Sequence, residues 1–220
     1  MVVLKLAASL DGRAAARDGS SRWISGEASR ADVHRIRAMS EAIAVGVGTV
    51  LADDPSLTVR LAEYRGRPPL RVVLDSKGRT PSSAAILEGQ APTLIATTPA
   101  APETTRACWE ASGAEVVVID EPDAHGGVAL RPVLELLGKR DVQTILLEGG
   151  PTLAWSAVRD GLVDRLVVYL APKLVGGRDA PGLLQGDGVE RIQDAFPVSI
   201  REIERLGDDV KLVGDVHGHH

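Results

Sequence analysis

Leu146-Leu147-Glu148-Gly149-Gly150-Pro151-Thr152-Leu153 is the stretch whose reading decides the fold. An apolar run ends in an acid, two glycines follow, and a proline opens a helical pattern. Glycine lets another group approach the backbone closely. Proline suits the first helical turn, where its missing N–H does no harm. The free N–H groups of that turn face forward and attract anions. Glu148 then stands at the carboxyl end of a strand, where open α/β sheets bind ligands. Read alone, the same turn is equally an ordinary strand-to-helix connection.

The same alternation extends in both directions. Short apolar, β-branched runs occupy 2–8, 42–47, 70–75, 93–97, 115–119, 144–147 and 166–170, and helical patterns occupy 27–39, 104–112, 129–138 and 152–160. Strands alternating with helices imply βαβ units and a mainly parallel sheet. Two late runs, 199–206 and 210–216, flank Gly207-Asp208-Asp209 with no helix between them. They read as an antiparallel hairpin, so the expected sheet is mixed. The expectation is one α/β domain over 1–216 and a frayed, His-rich tail at 217–220. Surface loops are expected at 100–103 and 121–127, which are rich in Pro, Gly and charge.

Composition narrows the function. Of 220 residues, 44% are hydrophobic but only 3% aromatic, so the core must be aliphatic, as buried strands under helices require. A net charge of −5 argues against nucleic-acid binding through bulk charge, though it leaves room for a local basic pocket. One cysteine, Cys108, excludes a disulfide framework and a cysteine metal cluster. It also excludes the ligand set of a zinc nucleobase deaminase. No metal is expected. The apolar start is too short for a signal or a membrane span, so a cytoplasmic protein without membrane attachment is expected.

Other segments carry weaker signals. Gly46-Val47-Gly48 resembles the start of a dinucleotide fingerprint but lacks the third glycine, where Leu51 stands. It still offers a second phosphate-facing turn, with Asp53-Asp54-Pro55 following. On the 27–39 helix, Arg30, His34 and Arg37 share one face. That stripe is either solvated surface or a phosphate cradle, since arginine matches phosphate in a bidentate fork. Arg60 could join it. Asp75-Ser76-Lys77-Gly78-Arg79 places a hydroxyl and two cations past a strand end, which suits the 2′-phosphate of NADP; an acid bonding the free ribose would mark NAD instead. The alternative is a charged turn.

Taken together, Lys5–Gly12 and Ser21-Arg22-Trp23-Ile24-Ser25 resemble the opening of the riboflavin-biosynthesis pyrimidine reductase family, the reductase half of the bifunctional deaminase/reductase. Thr49–Pro55, Leu57–Arg60, Glu148–Leu153, Leu162-Val163-Asp164 and Tyr169–Gly177 continue it in the same order. The ordered set spans nearly the whole chain and is far more specific than any one motif. The deaminase half is absent from this sequence. The resemblance implies a dihydrofolate-reductase-like fold, a homodimer and NADPH as cofactor. It implies reduction of the ribosylamino group of a pyrimidine ribose 5-phosphate to a ribitylamino group. The substrate would be 5-amino-6-(5-phosphoribosylamino)uracil or its 2,5-diamino precursor. Carried over by position, it puts Ala7, Trp23, Thr49, Asp53, Ser76 and the run Gly150, Pro151, Thr152, Leu153, Ala154, Trp155 and Ser156 on the cofactor. It puts Ser21, Arg37, Leu57, Arg60 and Glu148 on the substrate. Arg79 joins the cofactor set from the turn reading above. Arg30 and His34 gain no such support and are read as surface.

The expected chemistry is opening of the sugar to an imine, hydride delivery to C1′ and protonation of nitrogen. Lys5, a lone charge inside Leu4-Lys5-Leu6, is the first candidate for polarising the sugar or donating the proton. Glu148 is the second, and Asp11, also placed near the substrate, the third. Two rivals stand beside this reading. One is a reductase of the same fold acting on another pyrimidine or a pterin such as dihydrofolate. The other is a non-catalytic NADP-binding module.

Overall fold

The computed structural model describes residues 1–89 and 91–216. The expected tail at 217–220 lies outside the described residues. The strands are β1 (Val2–Ser9), β2 (Ala42–Gly46), β3 (Leu70–Leu74), β4 (Thr93–Thr97), β5 (Glu115–Val118), β6 (Ile145–Leu147), β7 (Arg165–Ala171), β8 (Val198–Leu206) and β9 (Asp209–Val216). The helices are α1 (Glu27–Ala38), α2 (Val47–Asp53), α3 (Glu103–Ala111), α4 (Leu130–Gly138) and α5 (Pro151–Arg159). Every expected element is present, with ends displaced by a residue or so. Among the described residues, no helix is long and apolar enough to cross a membrane.

The chain forms two compact units, residues 1–36 with 146–216, and Arg37–Ile145. In the first, β1 runs parallel to β7, in register from Val3 opposite Arg165 to Ser9 opposite Ala171. β9 is antiparallel to β7, and β8 is antiparallel to β9. The mixed arrangement expected from the late hairpin is therefore present. The hairpin turn is shorter than the Gly207-Asp208-Asp209 reading, because Asp209 already pairs with Leu206. Gly207 takes φ 62 at the first of the two central positions, where glycine carries no steric cost. Asp209, 2% exposed, accepts hydrogen bonds from the Gly26 N–H (2.7 Å) and the Ser29 hydroxyl (2.6 Å). The hairpin thus supplies an acceptor to the start of α1, where backbone donors lack helical partners.

A buried polar cluster reinforces that junction. The Tyr169 hydroxyl and the Lys211 ammonium each donate to Asp32, both at 2.8 Å. Burial opposes ionisation of Asp32, but its bonds to Lys211 and Tyr169 outweigh that and hold the carboxyl below its ordinary value. Burial, then Asp32, pushes the Tyr169 phenol up.

In the second unit, β2, β3, β4 and β5 form a parallel run in the order β5-β4-β3-β2. β2 is buried except at Gly46, and β4 throughout, as expected of strands covered on both faces. Trp109 on α3 is fully buried and donates its indole N–H to the Thr80 carbonyl at 2.9 Å. The 100–103 segment is not wholly a surface loop. Ala101 is 2% exposed, and Pro102 lies 3.0 Å from where a side chain on Gly78 would start.

Candidate functional site

In the first unit, the carboxyl end of β6 feeds Glu148. Its carboxylate lies 3.7 Å from the Lys5 ammonium of β1, with side chains 6% and 18% exposed. The Lys5 side chain is therefore neither a free surface charge nor an unpaired buried one. Buried charges persist when paired. Gly149 is demanded by the turn itself: a Cβ there would meet Leu153 Cδ2 at 2.6 Å. Gly150 begins α5 without a side-chain cap, and Pro151 occupies the first turn. The turn therefore offers backbone donors. Ala154, Trp155 and Ser156 are buried. Of the run carried over to the cofactor, the accessible part is Gly150 through Leu153.

Asp11 is tied down by its neighbours. It accepts from the Ser9 hydroxyl at 2.6 Å and from the Val175 and Gly176 N–H groups at 3.1 and 2.7 Å. Those bonds lower its carboxyl to about 2. Asp11 ties the turn after β1 to the loop after β7.

That loop holds Trp23. The Lys173 ammonium donates to the Trp23 and Ile24 carbonyls at 2.6 and 2.8 Å. The Arg30 guanidinium lies 4.6 Å from the centroid of the Trp23 ring. Arg30 is thus not the bare surface residue that the sequence reading made it. The reading also gave Lys173 no role. No periodicity links positions 23, 30 and 173; only the membership of Lys173 in the Tyr169–Gly177 motif hinted at it. Ser21 sits two residues before Trp23 and is half-buried, as is Ala7 opposite Tyr169 on β7.

In the second unit, Thr49 and Asp53 lie on α2, both half-buried. The two acids before Pro55 separate in role. Asp54 ends α2 in the left-handed region and accepts the Ala85 N–H at 2.8 Å, whereas Asp53 does neither. Leu57 is 3% exposed with φ 48, a conformation that costs a bulky residue about 1–3 kcal/mol. Arg37 donates to the Thr58 carbonyl at 3.0 Å, which brings it to the Leu57–Arg60 segment. Arg60 itself is exposed.

The turn after β3 is built around Asp75, which is fully buried. Its carboxylate accepts the Thr80 N–H at 2.6 Å and the Lys77 N–H at 3.3 Å. The Thr97 and Thr98 hydroxyls donate to the Asp75 and Ser76 carbonyls at 2.6 and 2.7 Å. Gly78 takes φ +73. Lys77 and Arg79 are exposed and Ser76 half-exposed. The acid is sealed inside, while a hydroxyl and two cations face outward. Among the described residues, no group of three His, Cys, Asp or Glu could hold a metal ion.

Comparison with known proteins places this arrangement. Residues 1–212 match the model of the RibD C-terminal domain. A 2,5-diamino-6-ribosylamino-4(3H)-pyrimidinone 5′-phosphate reductase of Methanothermobacter thermautotrophicus is 41% identical over 218 residues, covering 99% of this chain and 98% of that protein. The riboflavin biosynthesis protein RibD of Bacillus amyloliquefaciens is 38% identical over 212 residues, covering 96% of this chain but 56% of that protein. The structure of Acinetobacter baumannii RibD superposes with a TM-score of 0.85 at 32% identity, over 99% of this chain and 58% of that one. The chain thus spans little more than half of the RibD proteins but nearly all of the archaeal reductase. The chain belongs to the RibD C-terminal domain family.

Proposed function

We propose that the protein is an NADPH-dependent reductase that converts the ribosylamino group of a pyrimidine ribose 5-phosphate to a ribitylamino group in riboflavin biosynthesis. The observation that carries this is the nearly end-to-end match to the archaeal protein named as such a reductase. The same match favours a phosphorylated pyrimidine substrate over the pterin and binding-module readings.

The residues fit the cofactor. Asp75 is consumed by its own turn and is not free to bond a ribose hydroxyl, the interaction that marks NAD. Ser76, Lys77 and Arg79, left facing out, suit a 2′-phosphate. The first turn of α5, Gly150 to Leu153, suits the pyrophosphate. Ala7, Trp23, Thr49 and Asp53 complete the cofactor set by family position. When bound, NADPH supplies the hydride that reduces C1′ of the opened sugar. Arg37, held at Thr58, and Arg60 would carry the substrate phosphate, and Leu57 and Ser21 join the substrate set by family position. Lys5 polarises the sugar oxygen as the ring opens and donates a proton. Glu148 holds Lys5 in place, and accepts from the pyrimidine amino groups.

In this reading residues 1–216 are one reductase domain, in a cytoplasmic homodimer. The exposed Ile200 and Ile203 of β8 suit such an interface. The test is NADPH oxidation with the 2,5-diamino and the 5-amino-uracil ribosylamino phosphates. Turnover of either, lost on dephosphorylation, is expected. No turnover of either at high protein concentration overturns the assignment; equal turnover of the dephosphorylated compound removes Arg37 and Arg60 from phosphate binding.

A further inference from the structure

We infer that Arg30 and Lys173 are positioning residues that hold Trp23 in the orientation the nicotinamide cofactor requires. The inference rests on the cofactor reading above and adds to it residues that no family position assigns. Trp23 is 63% exposed, in contrast to Trp109 (0%) and Trp155 (7%). A large indole in a loop, left to itself, samples several rotamers, and a ligand must freeze it on binding.

Here two cations fix it by different means. Arg30 lies 4.6 Å from the ring centroid, within the range in which a guanidinium stacks on the ring's electron-rich face. Arg30 is itself tethered, donating to the Ser25 carbonyl at 2.7 Å, so the stack has a fixed base. Lys173 bonds the carbonyls of Trp23 and Ile24 together, which fixes the backbone that carries the ring. Lys173 is anchored in turn: the Leu10 N–H donates to its carbonyl at 2.8 Å, and Asp11 accepts from Val175 and Gly176 just beyond it. The Ser9–Gly12 turn and the Pro172–Gly177 loop thus hold the segment that carries the indole, and Arg30 lies over the ring at 4.6 Å, closer than Arg22 at 5.8 Å. With the indole 63% exposed, ring surface remains for a planar ligand, for which a nicotinamide is the fit.

The test is a double-mutant cycle on NADPH affinity, read by titration, with acrylamide quenching of indole emission as the companion signal. Arg30→Ala is expected to weaken NADPH binding about three- to ten-fold and to raise the quenching constant of the exposed tryptophan. Its effect on kcat at saturating cofactor should be small. Arg30→Lys, which keeps the charge and loses the planar stack, should fall between. Lys173→Met should weaken binding similarly and lower the emission anisotropy of Trp23. In a Trp23→Ala background, Arg30→Ala should change NADPH affinity little, because the ring it acts through is gone. Additive effects in that background, or unchanged affinity and quenching in Arg30→Ala, overturn the inference. If the unsubstituted protein does not bind NADPH, the cofactor reading and this inference fall together. If it binds and the cycle is additive, only this inference falls.

Discussion

Two strands of this protein end in an acid, and their fates are opposite. Val73-Leu74-Asp75-Ser76 closes β3, and Leu146-Leu147-Glu148-Gly149 closes β6. Asp75 is fully buried and its carboxylate accepts two N–H groups of its own turn. Glu148 faces the Lys5 ammonium at 3.7 Å. The difference has a local cause. Aspartate is short enough to cap the backbone just ahead of it, and the 75–80 turn supplies donors at Lys77 and Thr80. Glutamate is one methylene longer, and Pro151, three residues on, has no N–H to give. One acid is spent on its own turn, and the other meets a cation of β1.

Removing the cation breaks the comparison most severely. Lys5→Ala is expected to lower kcat about a thousand-fold while changing NADPH affinity little, within the range for loss of a general acid. Glu148→Gln, which keeps shape and removes charge, should lower kcat by a comparable factor with less loss of stability, since the cation it leaves behind is the more exposed of the pair and still meets an amide oxygen. Steady-state kinetics with direct cofactor titration separates the two quantities. Equal and small effects on both would put the Lys5–Glu148 pair beside Asp75 as architecture.

Asp32 is an intermediate case, an acid paired with a cation yet placed for structure. Lys211→Met leaves its carboxylate without its ammonium and is expected to cost about 3 kcal/mol of stability, measured by urea unfolding. The pH dependence follows from the shifts. Asp32 lies below its ordinary 3.8, so its contribution is present above that value and is lost as pH falls beneath it. Lys211 and Tyr169 are raised above their ordinary 10.5 and 10.0, so theirs are present below those values and lost as pH climbs past them. Thermal stability should therefore be flat between these limits and fall at both ends, and the alkaline fall should shrink in Lys211→Met. An unchanged alkaline limb would remove this cluster from the titration.

Asp75→Asn sharpens the other side. The amide keeps one acceptor and loses the charge, so the Thr80 and Lys77 N–H groups are less well satisfied, at a cost of about 2 kcal/mol. The expected signature is lower stability and a weaker hold on NADPH, with kcat at saturating cofactor preserved. A kcat loss like that of Lys5→Ala would mean that Asp75 too reaches the chemistry.

This contrast also shows how far the sequence could be read. Strand and helix periods, the Gly-Pro entry to α5 and the Gly207-Asp208 hairpin are local signals, and each element they foretell is present. Burial of Asp75, the role of Asp11 and the stack of Arg30 on Trp23 depend on groups distant in sequence, and no spacing encodes them. Arg71 makes the same point. It lies within an apolar run on β3, yet its buried guanidinium donates to the Glu88 and Ala91 carbonyls at 2.9 and 2.6 Å. The ordered motifs named the family because they record such long-range contacts, as when Asp11 of one motif bonds Val175 and Gly176 of another.

The smallest expected effect tests what the sealed acid leaves outside. If Asp75 exists to shape a turn that presents Ser76, Lys77 and Arg79, then Arg79→Ala should weaken NADPH binding about ten-fold, the loss of one charge-assisted phosphate contact. NADH, which has no 2′-phosphate, should bind almost as before, so the change appears in the ratio of the two affinities. A global loosening of the turn would weaken both cofactors together. The ratio therefore distinguishes a cation that reads the phosphate from one that merely decorates the turn, which is the distinction that divides Glu148 from Asp75.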